Sequence, residues 1–305
     1  MLLDTIAAYG AHDTRTRLPE EVIHHAKRAF LDWLAALYPG TRTQPCLQLL
    51  GAHGAELGSG RSSLPGCATT AFPATAAWIN GSVSHAVEFD DIFRDAIYHP
   101  GCPTIAAALA LAEDADASGQ AFLNAIVVGY EISTRIGAAV QPAHYRYFHT
   151  TGTVGCFGGA AAAAALCAPG DPETMLHALA TAGTLASGLQ QAFRSDAMSK
   201  ALHAGHAAAV GVRAGRAPRT ALPACPTFWK ARLDSERHWR KIRTGAWRST
   251  AWALATTSST SPRRTMAAAA IPLQRSTAPW RCGNAACAPS KSSACAWTPT
   301  RPRWT

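Results

Sequence analysis

The stretch RLPEEVIHHAKRAFLDWLAALYPG, residues 17–40, decides the fold class of this chain. Pro19 precedes the periodic region, and two glutamates occupy the first turn, where negative charge favours the helix dipole. Apolar side chains then recur at helical spacing up to Gly40, so the stretch predicts an amphipathic helix. The glutamates are Glu20 and Glu21, and the apolar positions are Val22, Ile23, Ala26, Phe30 and Leu34.

Further stretches with helical spacing follow through residue 215, and hardly any segment alternates with period two. We therefore predict a mainly α protein in which residues 1–215 form one compact helical domain. The stretches are TAFPATAAWINGSVSHAV (70–87), PTIAAALALAEDA (103–115), GQAFLNAIVVGYEISTRIGAAV (119–140), GTVGCFGGAAAAAALCA (152–168) and DPETMLHALATAGTLASGLQQAF (171–193).

The composition is that of a folded protein, with 305 residues, 48% apolar and 15% charged. The chain contains no apolar run of membrane-spanning length, and its start, MLLDTIAAYGAHD, lacks the basic residues of a secretory signal. We therefore expect no membrane partner and a cytoplasmic location. The nine cysteines contain no CxxC pair, so neither a zinc site nor a disulfide framework is indicated.

The net charge of +9 is unevenly distributed. Residues 1–215 contain 12 Lys/Arg and 17 Asp/Glu, a net of −5, whereas residues 216–305 contain 16 and 2, a net of +14. Seven of the nine tryptophans lie in this irregular second part. Phosphate attraction and tryptophan stacking make nucleic-acid binding by the tail the alternative function from another class, although we do not expect it.

One short stretch, SVSHAVEFDDIFRDAIYHPGCP (82–103), gathers seven charged or histidine side chains. A helix that ends near Val87 would leave three of them, Glu88, Asp90 and Asp91, at its C-terminus. Acidic groups are unfavourable at that end of the helix dipole, so the stretch predicts cationic partners from elsewhere in the chain.

Two other interpretations of the same stretch remain open. His85 and Glu88 lie at i, i+3 and would share a helical face, so a metal site of His85, Glu88 and Asp91 is one alternative, although no ligand spacing is diagnostic. A solvated charged loop is the other.

Two further stretches supply the cations. In YRYFHTTGTVGCFGGAAAAAA (145–165), His149 directly precedes a Thr/Gly-rich helix start, and in FRSDAMSKALHAGHAAAVG (193–211), Lys200 and His203 stand near another. Taken alone, each stretch is equally typical of a capping turn or a basic surface.

Together, the three stretches indicate an enzyme that handles a small polyanionic acid by proton transfer next to a carboxylate. The acidic neighbours should favour the charged form of the histidines. We expect six side chains to converge on one cleft: Glu88, Asp91, His99, His149, Lys200 and His203.

The order of the motifs NGSVSHAVEFDD, HPGCPTIAAALALAE, GYEISTRIG, FHTTGTVGCFGGAAAAA and SKALHAGHAAAVG resembles the MmgE/PrpD family over about residues 1–215. The resemblance implies an all-α domain followed by a smaller α+β lid domain, usually in a homodimer. It implies no metal, iron–sulfur cluster or other cofactor.

The resemblance also implies roles for individual residues. The catalytic acid/base groups would be Glu88, His99 and His149, and the substrate-binding residues would be Asp91, Lys200 and His203. The family's acidic turn usually reads D-F-D-D-T, whereas here Glu88 replaces the first Asp and Ile92 replaces the Thr. These two departures leave the identity of the substrate open.

The implied activity is that of a hydro-lyase of the 2-methylcitrate dehydratase type, an enzyme of propionate catabolism, acting on a small tricarboxylic or dicarboxylic acid. Cis-aconitate decarboxylase-like or iminodisuccinate epimerase-like activity is the alternative within the family.

The last ninety residues depart from the family pattern. Codons for Phe228-Trp229-Lys230-Ala231, read one nucleotide earlier, must encode Leu-Glu followed by Gly or Ser, which matches a family segment. We therefore interpret residues 216–305 as an out-of-frame, disordered tail that replaces the α+β lid. The chain as written is then a truncated form whose activity is in doubt.

Overall fold

The computed structural model describes residues 2–15, 17–194, 197–220 and 222–225. These residues form nine α-helices and one two-stranded hairpin, which confirms the predicted helical domain. From residue 226 onward, the predicted out-of-frame tail lies outside the described residues. The helices are α1 (Leu2–Arg15), α2 (Glu20–Gly40), α3 (Gln44–Ala52), α4 (Pro73–Ser84), α5 (Gly101–Asp114), α6 (Gly119–Val140), α7 (Thr150–Cys167), α8 (Pro172–Leu185) and α9 (Ser199–Arg216), and the strands are β1 (Ser62–Leu64) and β2 (Thr69–Ala71).

Helix α2 has the bounds that its sequence predicted. Val22 is buried as expected, but the centre of the buried face is Trp33, whereas Phe30 packs at the edge of the core. Gly40 allows the end of α2 to approach α4 closely, since a Cβ there would lie 2.1 Å from the carbonyl oxygen of Val83.

Helix α7 is the centre of the domain. It packs against α5, α6, α8 and α9, and its residues from Thr150 to Ala165 are buried. Because many of these residues are Gly or Ala, neighbouring backbones come very near: a Cβ on Gly211 of α9 would lie 2.5 Å from the carbonyl carbon of Gly159. This contact fixes the relative position of α7, which follows His149, and α9, which carries His203.

Length and apolar composition alone would allow α7 to cross a membrane, and among the described residues it is the one helix that meets both conditions. Within the domain, 89% of its apolar window is buried. A core helix of a folded protein shows the same properties.

The hairpin of β1 and β2 was not predicted from the sequence. Its strands are antiparallel, with Ser62 opposite Ala71. Side chains tie it to the helices, because the Ser62 hydroxyl donates to the Ala110 carbonyl (2.7 Å) and the Asn80 amide donates to the Ser63 carbonyl (2.9 Å). Strands of three residues are too short to produce a recognisable alternation.

Two helices end earlier than their sequence patterns predicted. Helix α4 ends at Ser84 rather than near Val87, so the acidic residues follow it as an irregular loop. Helix α8 ends at Leu185, although the pattern continued to residue 193. The segment after α8 instead pairs with the segment before α7, through a bridge between Phe148 and Leu189.

Candidate acid–base site

The loop after α4 turns back on the end of that helix. His85 occupies the C-cap position and is 1% exposed, and Glu88 adopts a left-handed backbone with φ 54°. This turn returns Asp90 to His85, whose Nδ1 lies 3.0 Å from Asp90 Oδ2. The expectation that His85 and Glu88 share a helical face is therefore wrong, because Glu88 lies outside the helix.

Asp90 is a buried carboxylate shared by two imidazoles. The same Oδ2 atom lies 3.2 Å from His99 Nδ1, in an ion-pair contact less well aligned than the hydrogen bond to His85. Burial opposes ionisation of Asp90, but the two histidines outweigh it and hold its pKa well below the usual range. Burial also opposes the charge on His99, yet the negative charge of Asp90 raises its pKa. Asp90 and His99 thus each favour the charged form of the other.

Asp91 anchors the loop to the neighbouring helices. Its Oδ1 accepts the backbone N–H of Gly101 (3.0 Å) at the start of α5, and its Oδ2 accepts the hydroxyl of Tyr130 (2.9 Å) on α6. Burial, assisted by the charge of Asp90, raises the pKa of Asp91 to about 7. Each oxygen already has a partner inside the protein, and the substrate-binding role assigned to Asp91 stays a prediction.

His149 and His203 form the opposite side of the site. Their Nδ1 atoms lie 3.0 Å apart, so one ring donates and the other accepts. The His149 ring also stacks on His85, with centroids 5.7 Å apart. Burial, reinforced by neighbouring cations, lowers the pKa of His149, and burial together with His206 lowers that of His203. The predicted preference for the charged form is wrong for these two, because the acidic side chains lie nearer to His99.

Lys200 closes the site. Its Nζ lies 2.5 Å from Glu88 Oε1 and 4.4 Å from the centre of the Phe193 ring. Phe193 in turn meets the His149 ring edge-to-face at 4.7 Å. Glu88 contacts Lys200 and His149 contacts Phe193, so Glu88 and His149 do not lie on opposite faces of the domain.

The structure thus brings together five of the six side chains that the sequence analysis selected, and the sixth, Asp91, points to the neighbouring helices. His99, His149, His203, Lys200 and Glu88 surround one site, and Asp91 lies buried behind it. Their individual roles stay predictions.

The sequence analysis missed two features of this site. It gave Asp90 no role, because its pairing with His85 depends on where α4 ends. It also overlooked Phe193, which the pattern placed inside a helix.

The metal alternative of His85, Glu88 and Asp91 does not form in the described structure, because Glu88 contacts Lys200 and Asp91 contacts α5 and α6. His85, Asp90 and His99 do offer ligand-type atoms within 4.8 Å of one another. In the described structure His85 Nδ1 makes a direct hydrogen bond to Asp90, and His99 Nδ1 approaches the same carboxylate oxygen at 3.2 Å as an ion-pair contact.

A helical domain that combines a carboxylate–imidazole pair, a second imidazole whose pKa is lowered and a lysine has the parts of an acid–base site for a small anion. The sequence model of the MmgE/PrpD N-terminal domain matches residues 4–221. The chain belongs to the MmgE/PrpD family, which confirms the resemblance seen in its motifs.

Two curated relatives have related names. The chain is 31% identical over 198 residues to the cis-aconitate decarboxylase-like protein oryM of Aspergillus oryzae, covering 61% of this chain and 40% of that protein. It is 32% identical over 208 residues to the cis-aconitate decarboxylase of Homo sapiens, covering 65% of this chain and 42% of that protein. The chain therefore matches less than half the length of either relative.

Proposed function

We propose that the described domain provides the acid–base site of a lyase that acts on a small tricarboxylic acid, with decarboxylation of a cis-aconitate-like substrate as the leading reaction. One observation carries this proposal: His99, whose pKa Asp90 raises, and His149, whose pKa burial lowers, lie in the same site as Lys200. The names of the two relatives favour decarboxylation among the reactions that such a site can perform.

Each group has a definite task in this reaction. Lys200 exchanges its contact with Glu88 for a contact with a substrate carboxylate. Loss of CO2 breaks a carbon–carbon bond and leaves the electron pair on the substrate, delocalised next to a remaining carboxylate. The imidazolium of His99 donates a proton to that electron pair. The substrate therefore loses one carboxylate as CO2 and gains one C–H bond.

Dehydration of the 2-methylcitrate type is the second candidate, supported by the opposite directions in which the pKa values of His149 and His99 are shifted. His149 would remove a proton from the carbon next to a carboxylate, and His99 would protonate the departing hydroxyl, which leaves as water. Both reactions use the same anion contact at Lys200.

The test is to incubate the full chain with cis-aconitate, 2-methylcitrate, citrate and iminodisuccinate, and to measure CO2 and the unsaturated products. CO2 from cis-aconitate supports the leading proposal, and turnover of 2-methylcitrate alone supports the second candidate. Turnover of iminodisuccinate alone, or of no substrate, contradicts both. Activity should persist in EDTA, since no step assigned here uses a metal.

The matched variants are Lys200→Met and Lys27→Met. Lys27 is exposed on α2, so its substitution should leave activity unchanged. Loss of the Lys200 ammonium removes a charged contact, and we expect kcat/KM to fall by on the order of 10²-fold. Equal activity of the two variants would argue against carboxylate binding at Lys200.

A further inference from the structure

Asp90 has a position that neither the motif assignment nor the proposed chemistry explains. It is 2% exposed, and a buried carboxylate costs several kcal/mol unless it is paired. It lies between two imidazoles, and the ring centroids of His85 and His99 are only 4.8 Å apart. A carboxylate in this place determines which nitrogen of each ring carries a proton.

Both contacts involve Nδ1 atoms. The Asp90 oxygen that accepts from His85 Nδ1 also faces His99 Nδ1 at 3.2 Å, in an ion-pair contact without full hydrogen-bond alignment. The carboxylate therefore favours an N–H at Nδ1 of each ring. The backbone of His99 is fixed as well, because its N–H donates to the Thr151 hydroxyl (3.3 Å). The Nε2 atom of His99 is then the nitrogen left to face a substrate, and the His99 side chain retains 18% exposure.

The two imidazoles are not equivalent. His85 Nε2 is buried and has no hydrogen-bond partner among the described residues. A second N–H at that atom would be unsatisfied, which is costly in a buried position. The imidazole that can present a proton to a substrate is therefore His99, whose side chain is partly exposed.

We propose that Asp90 is a positioning residue for the reaction: its carboxylate holds His99 in the orientation and protonation state in which Nε2 donates a proton to the substrate. Asp90 itself does not contact the substrate. His85 completes the arrangement by holding the carboxylate from the buried side.

The surroundings of His99 agree with this assignment. Asp90 and Asp91 raise its pKa, whereas burial and the Lys200 ammonium lower it. Among these groups, Asp90 therefore does most to raise the pKa of His99. The groups that face this cluster are His85 from the end of α4, Cys102 from α5, Tyr130 from α6, His149 and Thr151 from α7 and its start, and Lys200 from α9.

The test is Asp90→Asn, compared with Asp95→Asn in the same loop, where Asp95 is exposed. Both imidazoles approach the same oxygen of Asp90, and an asparagine either keeps an uncharged oxygen there or turns its NH2 group toward both Nδ1 atoms. In either orientation, the negative charge that favours N–H at Nδ1 of both rings is lost. Imidazole ¹⁵N NMR of the full chain should show Nδ1 protonation of both rings in the wild type and its loss from at least one ring in Asp90→Asn. The titration midpoint of His99 should fall because the carboxylate that raises its pKa is gone. Asp95→Asn should match the wild type.

The kinetic expectation rests on the proposed function. The kcat of Asp90→Asn should fall on the order of 10²-fold with little change in KM, and the limb of the pH profile that reports the acid should move to lower pH. The NMR result does not need turnover, so an inactive chain would contradict the proposed function and leave this inference open to test. A less stable Asp90→Asn protein with unchanged tautomers and midpoint would show a merely structural role and overturn the proposal.

Discussion

Substitution of Gly211 by alanine tests the backbone contact that sets α7 against α9. The added Cβ would lie 2.5 and 2.6 Å from the carbonyl carbon and Cα of Gly159, whereas an ordinary contact is 3.4 Å or more. The helices must therefore separate by about 1 Å, and overpacking of this kind costs about 1–3 kcal/mol. Alanine recovers about 1 kcal/mol of helix propensity. Because the obstruction is backbone rather than a flexible side chain, we expect a cost at the upper end, about 3 kcal/mol, and hence a net loss of about 2 kcal/mol.

The assay is thermal unfolding of the full chain, followed by circular dichroism. A loss of about 2 kcal/mol should lower the Tm by about 4–8 °C for a domain of this size. Gly51→Ala is the matched control, since nothing lies within 4 Å of a Cβ at that position in α3, and its Tm should rise slightly. If both variants shift the Tm upward, α7 and α9 do not touch through their backbones, and the placement of His149 beside His203 loses its structural basis.

Of three other predictions, two concern single groups and one concerns the reading frame. The pKa of Asp91 is raised from 3.8 to about 7, so between these pH values the unfolded chain carries a charge that the folded protein suppresses, and stability falls as pH rises. The free energy of unfolding of Asp91→Asn, measured in urea, should therefore match that of the wild type near pH 4 and exceed it at pH 7, by about 1.4 kcal/mol for each pKa unit. A difference between the two proteins that is constant with pH would contradict this prediction. Burial, and then the neighbouring Cys67, raise the pKa of Cys46 to about 12. Alkylation at pH 8 followed by mass spectrometry should therefore label the exposed Cys225 much faster than Cys46. Equal labelling rates of the two cysteines would refute the assignment. Sequencing the source DNA should reveal one inserted or missing base ahead of codon 228, and an intact frame would remove the proposed explanation of the tail.

Much of the fold could be predicted because helical periodicity is a local property. Helix α6 has the bounds 119–140 that its sequence pattern predicted, and α2 begins and ends where Pro19 and Gly40 indicated. Helices α4 and α8 show the limit of this reasoning, because both end earlier than their sequence patterns predicted. In both places the apolar pattern continues, but the chain leaves the helix to make non-local contacts that a periodic pattern does not encode.

The composition of the site could be predicted, but its electrostatics could not. Counting charges correctly indicated that cations from residues 145–211 would meet the acidic loop. The same counting gave the wrong protonation state for His149, because that state depends on burial and on distances of a few ångströms to His203 and His85. Asp90 was overlooked for a related reason: its partner lies five residues away, at a spacing that no regular helix brings together.

The left-handed backbone of Glu88 opposes thermostability. A residue with a Cβ in this conformation costs about 1 kcal/mol or more, and glycine would adopt it freely. A library of variants selected only for heat resistance should therefore accumulate glycine at position 88, at the expense of the contact with Lys200. A library selected for turnover should keep the carboxylate and acquire its stabilising changes elsewhere, so the residue recovered at this one position would reveal which of the two properties had been under selection.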